Sequence, residues 1–246
     1  AAVVDGIKAA VKDGSLTSAQ IDQSVLRILK WKQKRGVLKT EPIDTASVQA
    51  KLGTAASRDV ARQIARGSVT LLRNDSKGKA PLDATKGTRV LVAGSSWANP
   101  ELLPDPLKAA GFSVVFTQDP DAKENPSDSE ISAWVRQAAN VDTVIFASYA
   151  PGAQQFKAID ALVATGKQVI VINTSLPYPL ARYRSGASAP QVVAEVYANN
   201  SVALAAAVDV LSGQASALGK LPVSVPGASG VAYARGFGLG YGSASA

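Results

Sequence analysis

Two apolar runs separated by an amphipathic segment dominate the middle of the sequence. The runs cover residues 141–147 and 168–173, and both are rich in β-branched side chains. Residues 153–165 between them have the spacing of a helix and are followed by Gly166. Strands that are apolar without alternation are typical of parallel sheets covered on both faces, so the pattern predicts a βαβ unit. Such a crossover is right-handed in nearly all proteins and requires further strands and helices around it.

The remaining chain supplies further elements of both kinds. Strands are predicted at residues 68–73, 88–93, 112–117, 191–197 and 219–227, and helices at residues 54–66, 100–110, 127–138 and 201–212. In the third of these helices Ser127 and Glu130 have capping-box spacing, and Trp134 lies on the apolar stripe, which favours a core position. The predicted fold class is α/β: a mostly parallel open sheet flanked by helices, an α/β sandwich of the flavodoxin-like type.

Two helices without strands of their own precede this domain. Residues 3–12 carry one apolar stripe, and a second helix is predicted from Thr17, whose hydroxyl caps it while Gln20 reaches back. Gly36 is suited to end this helix in the left-handed conformation. We expect the apolar faces of both helices to need a partner outside this chain; the alternative is a helical hairpin packed on the α/β domain.

The composition excludes several classes of chemistry. The 246 residues include no cysteine and no histidine, so a disulfide, a thiolate nucleophile, a cysteine metal site and a histidine base are all absent. The net charge is +7, and residues 1–80 carry 15 lysines and arginines against 7 aspartates and glutamates. No nucleic-acid partner is predicted, because the basic residues are not interleaved with exposed aromatics in a recognised module. No apolar run approaches 18 residues, so no membrane span is predicted either.

The loop after the strand at residues 88–93 is a candidate site for a cofactor. Gly94, Ser95 and Ser96 follow that strand at the position where doubly wound sheets bind ligands. The second glycine of a dinucleotide fingerprint and the Gly-Lys-Ser/Thr of a phosphate-binding loop are both missing. We therefore predict a structural turn here, with no organic cofactor and no metal.

Three stretches resemble glycoside hydrolase family 3. GKLPVSVPG at residues 219–227, followed by YARGFGLGY at residues 233–241, is similar to the end of the family's second domain. SRDVARQIARGSVTLLRN at residues 57–74 resembles the helix and strand that open that domain, and residues 13–38 resemble the last helices of the family's catalytic barrel. The matches stand in the family's order and cover nearly the whole chain.

The resemblance implies a division of the chain. Residues 1–38 would be the terminal helices of a missing TIM-type barrel, residues 39–53 a linker, and residues 54–246 the C-terminal α/β sandwich domain. The sequence has no methionine and starts at Ala1 within a helical pattern, so we expect a piece of a longer product. The implied partners are the N-terminal catalytic barrel of the same protein and a glycan at the domain interface.

The resemblance also implies where the catalytic groups lie. A retaining glycosidase needs a nucleophile and a proton donor on either side of the scissile bond. In the family the nucleophile is a barrel aspartate, and β-glucosidase-like members add a glutamate from the second domain, after the strand that matches residues 141–147. Residues 148–152 have no carboxylate there, and the nearest one downstream is Asp160. The β-N-acetylglucosaminidase members use a barrel His–Asp pair instead, so we predict no catalytic residue in this chain.

Three sequence segments favour the β-N-acetylglucosaminidase group. VIFASYAP at residues 144–151, GKQVIVINTSLPYPLARY at residues 166–183 and EVYANN at residues 195–200 are similar to β-N-acetylglucosaminidase (β-hexosaminidase) members. The implied parent would remove terminal β-linked N-acetylglucosamine from muropeptides or chitooligosaccharides, a role in carbohydrate metabolism and peptidoglycan turnover. Export to the wall of a bacterium is expected from similar members.

One loop is predicted to form the rim of the substrate cleft. It lies at the carboxyl end of a central strand, where open α/β sheets place ligands. The rim residues predicted in it are Ser148, Tyr149, Gln154 and Gln155. An ordinary crossover loop is the alternative. For the whole chain two alternatives stay open: a stand-alone carbohydrate- or wall-binding module, and a β-glucosidase second domain with a displaced acid/base such as Asp160.

Overall fold

The computed structural model describes residues 2–39, 44–76, 79–84, 87–116, 124–184 and 189–241, with the side chain of residue 49 left out. Within it the chain forms two compact units, Ala1–Thr54 and Ala55–Ala246. None of the described helices is long and apolar enough to cross a membrane.

The first unit is helical. Its helices are α1 (Ala2–Lys12), α2 (Ser18–Lys34) and α3 (Thr45–Lys51). The capping box predicted for α2 is confirmed: Thr17 Oγ1 accepts from the Gln20 amide at 3.2 Å, and Gln20 Oε1 accepts from the Thr17 amide at 2.9 Å. Neither α1 nor α2 buries a residue. Helix α3 lies in the segment predicted to be a linker, of which residues 40–43 lie outside the described residues.

The second unit is built on a six-stranded sheet in the order β1-β6-β5-β4-β2-β3. The strands are β1 (Thr70–Asn74), β2 (Arg89–Gly94), β3 (Ser113–Val115), β4 (Thr143–Ser148), β5 (Gln168–Asn173) and β6 (Val192–Glu195). The last five are parallel, and their order is the 2-1-3-4-5 arrangement of flavodoxin-like folds. Strand β1 adds an antiparallel edge beside β6. The predicted fold class is confirmed.

Helices cover both faces of this sheet. They are α4 (Ala55–Ser68), α5 (Pro104–Ala109), α6 (Asp128–Ala138), α7 (Ala153–Val163) and α8 (Ser201–Leu211). Alternate side chains of β4 enter different cores: Ile145 packs in the core that contains α5 and α8, and Phe146 in the core that contains α6 and α7. Every residue of β4 is buried, which explains the apolar run without alternation.

The predicted βαβ unit is confirmed residue by residue. Strands β4 and β5 pair in parallel from Thr143↔Gln168 to Ser148↔Asn173, with α7 between them. The capping box at Ser127 is present at the start of α6. That helix buries Trp134, whose ring meets Phe146 edge-on at 6.0 Å between centroids.

The C-terminal segment departs from its prediction. Of the strand predicted over residues 219–227, only Val225–Pro226 (β7) is a strand, paired with Val231–Tyr233 (β8). Prolines at positions 222 and 226 have no N–H to continue a ladder. The segment instead returns along β1, where the Leu239 amide donates to the Leu71 carbonyl at 2.8 Å.

Gly219 makes this close return possible. A Cβ atom at Gly219 would lie 2.3 Å from the Val69 carbonyl oxygen, a distance that real Cβ atoms do not reach. A Cβ atom added to Gly67, in helix α4, would meet no atom within 4 Å. The two positions therefore form a matched pair for substitution by alanine.

We expect Gly219→Ala to lower the free energy of unfolding by roughly 1–3 kcal/mol, because the added methyl group overpacks the contact with the backbone of Ser68 and Val69, just before β1. Gly67→Ala should cause no loss, and in a helix it should stabilise by at most about 1 kcal/mol. Urea unfolding followed by circular dichroism measures both variants. Equal stability of Gly219→Ala and the unsubstituted chain would contradict the proposed packing.

Candidate functional site at the carboxyl edge of the sheet

The carboxyl ends of β2, β4, β5 and β6 meet at one edge of the sheet. The strand order reverses between β2 and β4, and open α/β sheets bind ligands at such switch points. The two strand ends approach closely there: the Ser95 amide donates to the Ala147 carbonyl at 3.0 Å. Gly94, with φ of +153°, permits this contact, since a Cβ on it would lie 2.3 Å from the same oxygen.

A buried polar network joins three of these strand ends. The Ser148 hydroxyl donates to Asn173 Oδ1 at 3.0 Å, and Asn173 Nδ2 donates to Glu195 Oε2 at 2.6 Å. Asn173 Nδ2 also donates to the Leu176 carbonyl at 3.1 Å, which sets the orientation of the carboxamide. All three network side chains are fully buried. Buried polar groups that satisfy one another in this way favour one arrangement of the strand ends.

Glu195 is the unusual member of the network. Its neighbours across the sheet are the uncharged Thr70 and Asn173, and its Oε1 accepts from the Tyr197 amide at 2.8 Å. Burial raises the pKa of Glu195 to about 8, although hydrogen bonds from Asn173 and from the amides of Tyr197 and Val196 act in the opposite direction. At neutral pH a large part of this carboxyl is therefore protonated.

Backbone strain is concentrated at the same edge. Among the described residues, the non-glycine residues with positive φ are Asn99, Ala150 and Tyr197, which follow β2, β4 and β6 respectively. Such conformations persist only where surrounding contacts hold them. The Ala150 amide donates to Ser175 Oγ at 2.8 Å, and the Tyr197 hydroxyl is 2.9 Å from Thr70 Oγ1.

The predicted rim residues lie at different depths. Ser148 and Gln155 are buried: Gln155 Nε2 donates to the Tyr149 carbonyl at 2.9 Å, and Gln155 Oε1 accepts from the Tyr149 amide at 3.3 Å. Tyr149 and Gln154 are half-buried, and Gln154 Nε2 donates to Asp128 Oδ1 at 2.7 Å. The structure thus brings Ser148, Tyr149 and Gln155 together at the strand end, with Gln154 directed to α6. Their role at a substrate rim stays a prediction.

Exposed apolar side chains line this edge. Trp97 is 54% exposed after β2, and Leu176 and Tyr178 after β5 are 64% and 44% exposed. The ring of Tyr149 meets the Trp97 ring edge-on, at 5.8 Å between centroids and 72° between planes. Sequence reasoning missed Trp97 because its loop was interpreted as a structural turn. The signal available was a tryptophan directly after a strand and outside any apolar stripe.

The described residues contain no group of three acidic, histidine or cysteine side chains that could hold a metal ion. Asp160, the alternative acid/base, lies in α7, is half-buried and pairs with Arg182. Glu195 was also missed in the sequence, because it lies inside a run that reads as an ordinary buried strand. The edge therefore offers hydrogen-bonding and stacking groups, together with one buried carboxyl.

We expect the raised pKa of Glu195 to make stability depend on pH. The folded pKa of about 8 exceeds the ordinary value of 4.5, so the contribution of Glu195 is complete below pH 4.5 and is lost as pH rises through 8. Between those values its contribution falls by up to about 1.4 kcal/mol per pH unit. Urea unfolding at several pH values between 5.5 and 8 measures the slope.

Glu195→Gln should remove this slope, even if it lowers overall stability by placing an amide donor opposite another donor. Glu101→Gln, at an exposed position, is the matched control and should keep it. The same slope in the unsubstituted chain and in Glu195→Gln would contradict the assignment.

Comparison with known proteins gives the family of the chain. A model of the glycosyl hydrolase family 3 C-terminal domain matches residues 69–241. A search of curated proteins found no match. Among solved structures, a glycoside hydrolase family 3 β-N-acetylglucosaminidase from Paenibacillus sp. str. FPU-7 is 27% identical, with a TM-score of 0.68, over 87% of this chain and 41% of that one.

Two β-glucosidases have the same fold. EmGH1 from Erythrobacter marinus is 21% identical, with a TM-score of 0.72, over 96% of this chain and 42% of that one. A β-glucosidase involved in saponin metabolism from intestinal bacteria is 19% identical, with a TM-score of 0.69, over 97% and 45%. The chain thus spans less than half the length of these structures. On the family match over most of its length, the chain belongs to glycoside hydrolase family 3, as a C-terminal domain of that family.

Proposed function

We propose that this chain is the non-catalytic C-terminal domain of a family 3 glycosidase that removes terminal β-linked N-acetylglucosamine from muropeptides or chitooligosaccharides by a retaining mechanism. The observation that carries the proposal is the end of β4. Its last residue, Ser148, and residues 149–152 after it lie at the carboxyl edge and include no carboxylate, where β-glucosidase-like members have their acid/base. The 27% identity to a β-N-acetylglucosaminidase supports the same substrate class.

Glu195 does not replace the missing acid/base. Its side chain is fully buried, and its two oxygens accept from Asn173 and from the Tyr197 amide. A proton donor must come within hydrogen-bond reach of the glycosidic oxygen, and Glu195 has no exposed atom to do so. In this proposal the nucleophile and the His–Asp pair both lie on the barrel. The C-terminal domain contributes the surface that surrounds the sugar.

The partner in this proposal is an N-terminal catalytic barrel in the same protein. The matched structures are more than twice as long as the part this chain covers. Helix α2 exposes five large apolar side chains, Val25, Leu26, Ile28, Leu29 and Trp31. Exposed patches of this kind mark interaction surfaces.

The glycan would bind between the barrel and the carboxyl edge. Export to a bacterial wall belongs to the same proposal, which the positive net charge supports.

The second candidate is the C-terminal domain of a β-glucosidase. Two β-glucosidases match this fold over 96% and 97% of the chain, which is why this candidate is kept. It would require an acid/base elsewhere than after β4, and Asp160, which lies on α7, already forms an ion pair with Arg182. Substrate preference separates the two candidates.

We expect the complete protein to hydrolyse an aryl β-N-acetylglucosaminide, with little activity on the matching aryl β-glucoside. The 246-residue chain alone should cleave neither, because in this proposal the nucleophile and the proton donor both lie on the barrel. Release of the chromophore measures all four reactions. A preference for the glucoside would select the second candidate, and cleavage by the chain alone would contradict a non-catalytic role. A barrel loop of the Lys-His-Phe-Pro-Gly type in the complete protein would support the first candidate.

Substitution of Tyr149 in the complete protein tests whether this residue lies at the substrate rim. We expect Tyr149→Ala to raise KM about fivefold with little change in kcat, as the loss of a stacking contact of roughly 1 kcal/mol would do. Tyr149→Phe keeps the ring and should keep the KM. Initial-rate kinetics on the aryl glycoside measure both variants. An unchanged KM in Tyr149→Ala would exclude Tyr149 from the rim.

A further inference from the structure

Two loops at the carboxyl edge hold each other through a pair of asparagines. Asn199 Nδ2, in the loop after β6, donates to the Trp97 carbonyl at 2.8 Å. Asn99 Nδ2, in the loop after β2, donates to the Asn199 carbonyl at 2.6 Å. These two bonds hold the Trp97 carbonyl and the Asn99 side chain against the loop after β6. The position of the exposed indole therefore depends on where that loop runs.

The course of the loop after β6 depends in turn on Glu195. Tyr197 turns the chain in the left-handed conformation, with φ of 61°, and its amide donates to Glu195 Oε1 at 2.8 Å. The same carboxyl is held from β5 by Asn173 Nδ2. A non-glycine residue stays in this conformation only where its surroundings hold it, and here the carboxyl group of Glu195 is one of the holding contacts. Asn199 follows two residues after this turn.

We propose that Glu195 is the positioning residue of the carboxyl edge: its side chain holds the turn at Tyr197 and, through Asn199, sets the place of the Trp97 indole. Glu195 acts through Trp97 and touches no ligand itself. That Trp97 faces a glycan rests on the proposed function, whereas the positioning of Trp97 does not.

The proposal gives the edge a response to pH. Protonation makes one carboxyl oxygen a poorer acceptor, so one of the two bonds from Asn173 and Tyr197 weakens. Among the described residues around Glu195, Thr70 on β1 and Asn173 on β5 are uncharged, and the phenol of Tyr197 is the other titratable group. Burial raises the pKa of Tyr197 above its ordinary value of 10. The carboxyl is therefore the group that changes charge here near pH 8.

The composition of the chain makes this response measurable. The sequence has no histidine and no cysteine, whose unperturbed side chains would titrate between pH 6 and 9. It has three tryptophans, Trp31, Trp97 and Trp134, so 5-fluorotryptophan labelling gives three fluorine NMR signals. Replacement of each tryptophan by phenylalanine assigns them. Trp31, in the first unit, is the internal reference.

We expect the Trp97 signal of the 246-residue chain to move along a single titration curve with a midpoint near pH 8, while the Trp31 signal stays in place. Glu195→Gln should abolish the movement, and Glu101→Gln should leave it unchanged. Asn199→Ala should reduce it, because this substitution removes the bond to the Trp97 carbonyl without touching the buried carboxyl, while the bond from Asn99 to the backbone carbonyl of residue 199 remains. Asn199 lies outside the core, so the test remains available if Glu195→Gln does not fold.

A Trp97 signal that stays in place between pH 6 and 9 overturns the proposal, as does an equal movement in Glu195→Gln or Asn199→Ala. Adding a chitooligosaccharide to the labelled complete protein tests the proposed function separately. A Trp97 signal that responds to pH and not to the glycan would leave Glu195 as the positioning residue and remove Trp97 from the substrate rim. A Trp97 signal that responds to the glycan and not to pH would keep Trp97 at the substrate rim and would exclude Glu195 as the positioning residue.

Discussion

The burial of a parallel sheet on both faces is the constraint on which this structure depends. Strands β4 and β5 are enclosed by α5 and α8 on one face and by α6 and α7 on the other. Parallel strands need crossover helices, and those helices remove both faces from solvent. Polar chemistry is thereby confined to the ends of the strands. Among the described residues, the carboxyl edge holds most of the buried polar groups, the non-glycine residues with positive φ, and the exposed rings of Trp97 and Tyr178.

The carboxyl edge combines a rigid interior with an apolar exterior. Inside, Ser148, Asn173 and Glu195 satisfy one another by hydrogen bonds. Outside, Trp97 and Tyr149 present aromatic rings that meet edge-on. Aromatic rings of this kind offer stacking area at low conformational cost. In the proposed function this surface faces a glycan.

The site was predictable only in part. The strand end at Ser148 and the loop with Tyr149 follow from an apolar run that stops at small and polar residues. Glu195 did not stand out, because a single carboxyl in an apolar strand gains meaning only from neighbours that are 22 to 125 residues away, Asn173 and Thr70. Trp97 was hidden for a similar reason: its exposure depends on which elements leave it uncovered.

The sequence by itself determined the elements and their class. Periodicity, capping residues and turn residues are local, so the βαβ unit, the caps of α2 and α6 and the family resemblance were readable in order along the chain. Only the tertiary structure decided the strand order, the antiparallel placement of β1, the return of the C-terminal segment along β1 and the burial of Glu195. These depend on contacts between residues far apart in the chain, which no local pattern encodes.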